Sequence, residues 1–142
     1  MPITETRGVR NRNPGNIDYS PRNNWQGQLG LEVGVPKPRF ARFDTAENGI
    51  RALGKTLLTY QRKHGLKTVK AIISRWAPSV ENDTAAYVRA VEANTGTTPG
   101  AEVDLTQAPV MRGFVKAIIH HENAGYAYPD AVLAEGVRRA LA

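Results

Sequence analysis

A chain of 142 residues and 15.5 kDa supports one hydrophobic core and leaves too little for two domains. The absence of cysteine excludes a disulfide framework, a thiolate zinc site and a thiol nucleophile. Nineteen Lys and Arg against thirteen Asp and Glu give a net charge of +6 and a pI of about 9.9, which favours an anionic partner: nucleic acid, an acidic membrane surface or a wall polymer.

The opening MPITETRGVRNRNPGN carries no apolar run of signal-peptide length, and no segment approaches membrane-spanning length. A soluble protein is expected, with residues 1–7 as a flexible tail. From about 8 to 45, Gly, Pro, Asn and Arg crowd together, with turn signals at Pro14-Gly15 and Ser20-Pro21. Short strands are predicted over 17–19, 28–31 and 39–43, forming a small irregular sheet.

The remainder reads as helix. Asp44, with Glu47 three residues on, heads an Asp variant of the capping box; Ile50, Leu53 and Leu57 follow at helical spacing, and Gly65 ends the segment. Thr68 starts a helix that buries Val69, Ile72, Ile73 and Trp76 and stops at Pro78. Asp83 or Thr84 caps the next, which packs Tyr87, Val88 and Val91 and ends near Gly96. After a connection come a helix from about Pro109 to Glu122 and a last one from Pro129. With no repeat and no linker-like tract, residues 1–142 are expected to form a single α+β, mainly α domain.

Turning the 109–122 helix at roughly 100° per residue puts Val110, Met111, Phe114, Val115, Ile118 and Ile119 on one side. Glu122 follows Ile118 by four residues and Val115 by seven, so it falls inside that stripe; Arg112, Lys116 and His120 fall outside it. A carboxylate at a helix C-terminus also opposes the helix dipole. Such placements work against local stability and tend to mark functional sites. Either the helix frays here and the side chain turns to water, or the carboxyl is held against apolar neighbours. A carboxyl so held is poorly solvated as an anion and keeps its proton to higher pH, the state that protonates a departing glycosidic oxygen. In that case Glu122 is a general acid.

Metal chemistry finds no support, because adjacent helical residues point about 100° apart and His120, His121 and Glu122 cannot converge on one ion. His64 is isolated. Ser20, Ser74 and Ser79 lack a nucleophile elbow, and no phosphate-binding loop is present. No metal and no cofactor are expected.

AIIHHENAG (117–125), NPGNI (13–17), WQG (25–27), RFARFDTAENGIRAL (39–53) and WAPSVENDTAAYVRAV (76–91) together resemble the lysozyme-like superfamily of peptidoglycan-cleaving enzymes, of glucosaminidase and lytic transglycosylase type. The resemblance covers most of residues 8–135. In those enzymes the Glu-bearing helix comes first, so this chain looks circularly permuted. Its opening GVRNRNPGNI is similar to small lysins and virion-associated proteins of bacteriophages.

The resemblance implies a lysozyme-like fold that cleaves glycan strands, with Glu122 as general acid/base and Glu81 as a second carboxylate or water-orienting group. Asn13 and Asn16 would present amides to N-acetyl groups, Tyr87 would stack on a sugar, and Tyr126 with Tyr128 would line the cleft. Each has a plainer alternative: helix N-terminal charge for Glu81 with Asp83, turn chemistry for the asparagines, core packing for Tyr87. Trp25 and Trp76 belong either to the cleft or to the core. The partner implied is bacterial peptidoglycan, reached from the host cytoplasm or carried in the virion. Weak attraction of Arg138 and Arg139 to an anionic membrane, a monomeric state and no nucleic acid complete the expectation, since no helix shows a clustered basic face. The competing class is a wall-binding or structural virion module with the same fold.

Overall fold

The computed structural model describes residues 5–78 and 83–142. The Thr6 side chain accepts from the Val9 amide and caps a one-turn helix, α1 (Arg7–Arg10). A turn at 13–16 then leads to two antiparallel strands, β1 (Gln28–Leu31) and β2 (Ala41–Phe43). Five helices follow: α2 (Ala46–His64), α3 (Val69–Trp76), α4 (Thr84–Thr95), α5 (Ala108–Glu122) and α6 (Asp130–Leu141). The class is α+β, mainly α, with the small sheet near the N-terminus, as the sequence predicts.

The sheet is irregular because Gly30, at φ 134°, marks a bulge between the Gln28–Phe43 and Gly30–Arg42 pairs. Residues 17–19 form no strand of their own. They lie along the far edge of β2 through Ala41 N–H to Ile17 O and Tyr19 N–H to Arg39 O, with one bridge at Asp18–Phe40. Within the expected tail of 1–7, Thr6 and Arg7 are held to the fold: the Thr6 hydroxyl donates to Asn123 Oδ1 at 2.7 Å, and Arg7 pairs with buried Glu32.

Local capping sets the starts of α2, α3 and α4 and the ends of α2 and α4. Thr68 accepts from Ala71 N–H at 3.1 Å, Asp83 from Ala86 N–H at 3.1 Å, and Gly65 and Gly96 close their helices in the left-handed region. α2 corrects the expectation by one residue. Its cap is Thr45, whose hydroxyl accepts from Asn48 N–H, while the Asp44 carboxylate is taken by the Asn48 side-chain amide at 2.9 Å.

The core joins all five long helices around Leu53, Leu57, Ile72, Tyr87, Phe114 and Ile118, each fully buried. α5 contributes the stripe predicted from its periodicity, except that Val110 is only partly buried. α2 packs along α6, and α4 along α5. Among the described residues no helix is long and apolar enough to cross a membrane.

α2 also meets the N-terminal turn at very close range. A Cβ on Gly49 would stand 1.9 Å from the Arg12 carbonyl oxygen, a backbone atom that cannot swing aside. Helix propensity alone would favour Ala by about 1 kcal/mol, but overpacking costs about 1–3 kcal/mol, and a backbone clash lies at the upper end. Gly49→Ala is therefore expected to destabilise the protein, lowering the melting temperature by roughly 5 °C. A melting temperature equal to or above the wild type would refute this close approach.

Candidate functional site

The side chain of Glu122 is half buried at the last residue of α5. The stripe it continues belongs to the core, so the helix delivers the carboxylate to the edge of that core rather than to open solvent. Two side chains from distant segments hold it. The Tyr87 hydroxyl of α4 donates to Oε2 at 3.2 Å, and the Asn16 amide donates to Oε1 at a long 3.5 Å.

Tyr87 is fully buried and is itself held by Trp76, whose indole N–H donates to the Tyr87 hydroxyl at 3.1 Å. Burial pushes the Tyr87 phenol far above the ordinary tyrosine range. The Glu122 charge adds to this, and the Trp76 bond partly opposes it. The phenol therefore stays a donor to Glu122 at every working pH. Its ring also stacks on His121, centroids 3.9 Å apart. The expected sugar-stacking role for Tyr87 is corrected: a side chain with no exposed surface positions the carboxylate and meets no substrate.

Asn16 reaches Glu122 because its backbone adopts φ 50°, a left-handed conformation that Asn tolerates better than most residues. Asn13, three residues earlier, does something else. It is fully buried, with its amide donating to Ile17 O and Ala41 O and its carbonyl accepting from Ile17 N–H. Its amide is spent on pinning the turn to β2 and presents nothing to a ligand. Asn123, the residue that follows α5, donates to Pro14 O at 2.8 Å and so ties the end of α5 to that same turn.

Glu122 lines a cleft of about 400 Å³. Asn16, Tyr60, Trp76 and Phe40 share its walls. Asp18 and Arg39 line it too, joined to each other by a 2.6 Å ion pair. A space of that size is normal for a small-molecule or sugar-unit site, and the mixture of aromatic faces with a few polar groups suits a sugar ring better than a lipid tail. Two guanidinium groups lie over the Phe40 ring, Arg7 at 4.6 Å and Arg39 at 5.1 Å from its centroid.

The polar hub behind that wall is Glu32. It is buried and accepts from Arg7, from the Asn11 amide at 3.0 Å, and from the backbone N–H groups of Arg39 at 2.8 Å and Phe40 at 3.0 Å. The Arg7 guanidinium, against the opposing effect of burial, holds its carboxyl well below the usual carboxylate range; Asn11 and the two N–H groups add to this. Glu32 thereby fixes the stretch that places Arg39 and Phe40 on the cleft.

Of the other expected residues, Glu81 lies outside the described residues. Tyr126 does not join the Glu122 cleft; it packs edge-on to Tyr128 at 4.8 Å and lines cavities on another side of α5. The chain reverses there, through Ala124 at φ 52° and Gly125 at φ 88°. Trp76 serves both cleft and core, while Trp25 packs against the small cluster of Ala41, Phe43 and Ala52. Sequence reasoning missed Tyr60, Phe40, Arg39 and Asp18 as cleft residues. Tyr60 sits on α2, while Asp18, Arg39 and Phe40 lie outside the strands along an isolated bridge, and only the fold assembles them. Among the described residues no group of three His, Asp or Glu side chains is placed to hold a metal ion.

Tyr87→Phe removes one hydrogen bond to the carboxylate and leaves the Trp76 N–H without its acceptor. The variant is expected to stay folded with a loss of about 1–2 kcal/mol. Any Glu122-dependent turnover should fall about tenfold, the equivalent of one such bond lost in the transition state. A kcat unchanged from wild type across the pH profile would remove Tyr87 from this role.

No family model matches the sequence. The chain is 36% identical over 124 residues to Protein P5 of Pseudoalteromonas phage PM2, a match that covers 86% of this chain and 74% of that protein.

Proposed function

The chain belongs to the family of Protein P5 of Pseudoalteromonas phage PM2, and from the geometry around Glu122 we propose that it is a bacteriophage cell-wall enzyme that cleaves the glycan strands of bacterial peptidoglycan. Glu122 serves as general acid and then base. The observation that carries this reading is the half-buried Glu122 carboxylate, gripped by Tyr87 and Asn16, on a 400 Å³ cleft walled by Trp76, Tyr60 and Phe40. General acid catalysis needs a carboxyl in a fixed orientation beside the leaving oxygen. Both bonds restrict the rotation of this side chain, and the aromatic walls offer faces to the apolar sides of sugar rings. The net charge of +6 draws the protein to an anionic wall, an attraction that weakens with salt.

Glu122 first donates its proton to the departing glycosidic oxygen. What completes the reaction depends on the second group. If the sugar's own hydroxyl attacks, Glu122 takes its proton and the product carries an anhydro end, as in lytic transglycosylation. If a carboxylate such as Asp18 activates water, hydrolysis follows. Asp18 shares the cleft but is held by Arg39, which favours the first route.

The second reading is a wall-binding or structural virion protein without chemistry. The same bonds favour it, because a carboxylate held by Tyr87 and Asn16 also ties α5 to α4 and to the N-terminal turn. Incubation with purified peptidoglycan, followed by mass spectrometry of the soluble fraction, separates the two. Anhydro-muropeptides or new reducing ends are expected. Co-sedimentation with the wall and no released fragment would leave only the binding module.

A further inference from the structure

A second cavity, of about 350 Å³, opens on another side of α5 and shares no lining residue with the Glu122 cleft. Lys116 and His120, four residues apart on one helical face, line it together with His121. Asn94 of α4 and Tyr126 of the return loop complete its polar side. Ala90, Ala117 and Ala127 supply the rest, and their small side chains leave the depression its depth. The lining thus holds an ammonium, two imidazoles, a phenol and an amide, and no carboxylate. Such a set recognises an anion, with apolar surface left for a short aliphatic body. The His120 ring also sits close over Gly125, where a Cβ would lie 3.6 Å from Nε2, so the turn at 124–125 fixes one wall.

We propose that this cavity binds the free carboxylates of the short peptides that branch from peptidoglycan glycan strands, which rests on the wall-cleaving reading above. The anionic ends meet Lys116 and His120, and the alanine side chains of the peptide lie on Ala90 and Ala117. The site is also linked to the acid. His121, in the cavity wall, stacks on Tyr87 at 3.9 Å, and the Tyr87 hydroxyl holds Glu122. A peptide seated here orders the ring that backs the catalytic carboxylate, so strands bearing peptides are preferred over bare glycan.

The test is an NMR titration of the full chain with a synthetic alanyl-glutamyl-lysine stem peptide, following the His121 ring and the Asn94 side-chain amide. Parallel titrations use the same peptide with its carboxylates amidated, and inorganic phosphate. Saturable shifts at both reporters with the free acid are expected, with none for the amidated peptide. Binding should weaken at least about tenfold in the Lys116→Ala/His120→Ala double variant, the loss of one or two charge-assisted contacts. Both residues are exposed, so the fold should be retained. No saturable shift, an undiminished response in the double variant, or equal binding of phosphate would each overturn the proposal. Glycan cleavage is assayed on the same wild-type sample. Peptide binding without cleavage sinks the enzyme reading alone, whereas cleavage without peptide binding sinks this site alone.

Discussion

Glu122→Gln is expected to reduce release of soluble fragments from purified peptidoglycan by about 10²–10⁴-fold, the usual contribution of a positioned general acid. Glutamine matches glutamate in shape, and its carbonyl oxygen still accepts from the Tyr87 hydroxyl that now holds Oε2. What it lacks is a proton to give the leaving oxygen. The substitution therefore isolates chemistry from packing: the melting temperature should move by no more than a couple of degrees, as for a change of under about 1 kcal/mol in a domain of this size. Binding to the insoluble wall should persist. Wild-type cleavage by the Gln variant would mean that the acid is elsewhere or that the protein is no enzyme. Loss of activity together with loss of fold would point instead to the structural tie, and Tyr87→Phe then tells the two apart, since it loosens the tie but leaves the carboxyl in place.

Glu32→Ala should produce the largest loss of stability, about 3 kcal/mol, because removing one member of a buried ionic network leaves its partners without compensation. Arg7 is partly exposed and can turn back to water. The buried Asn11 amide and the Arg39 and Phe40 N–H groups cannot do so without opening the hairpin. A fall of roughly 10 °C in melting temperature follows for a chain of this length. Since Arg39 and Phe40 line the cleft, affinity for glycan should also drop.

The pH dependence has a definite sign. The folded-state pKa of Glu32 is depressed, so its stabilisation is fully present above the unfolded value of about 4.3. It is lost progressively as pH falls from there toward the folded value. Wild-type protein should accordingly lose stability on acidification below about pH 4.5 more steeply than Glu32→Gln, which cannot titrate at this position. A melting temperature within about 2 °C of wild type for Glu32→Ala would show that the hub does not hold the hairpin.

What could be read from the amino-acid order was whatever depends on neighbours a few residues apart. Thr68, Asp83, Gly65 and Gly96 set helix ends through bonds and dihedral angles confined to one turn, so their residue types announce them. The same holds for Glu122 on the apolar side of α5, since helical period alone places it there. Even the one-residue error at the start of α2 is local in origin: Asp44 and Thr45 are both good caps, and the Asn48 side chain decides between them by occupying Asp44.

The partners of Glu122 obey no such rule. Tyr87 lies 35 residues away and Asn16 lies 106 away, and chain distance carries no signal for either bond. Asn13 and Asn16 are the same residue type in one turn; only the path of the chain buries the first and turns the second, at φ 50°, toward the carboxylate. Tyr87 reads from its period as a core aromatic, and so it is, yet its hydroxyl acquires a task because Trp76 and Glu122 are brought to its rim. Glu32 sits in a stretch rich in Gly and Pro that any local rule would leave in solvent. It is buried because Arg7 and Asn11 fold back over it, and that compensation exists only once the fold has closed. Sequence thus determined the helices and the edge on which the acid stands. Tertiary structure alone decided what grips it, since burial and pairing of polar groups are settled by long-range contacts that no local period encodes.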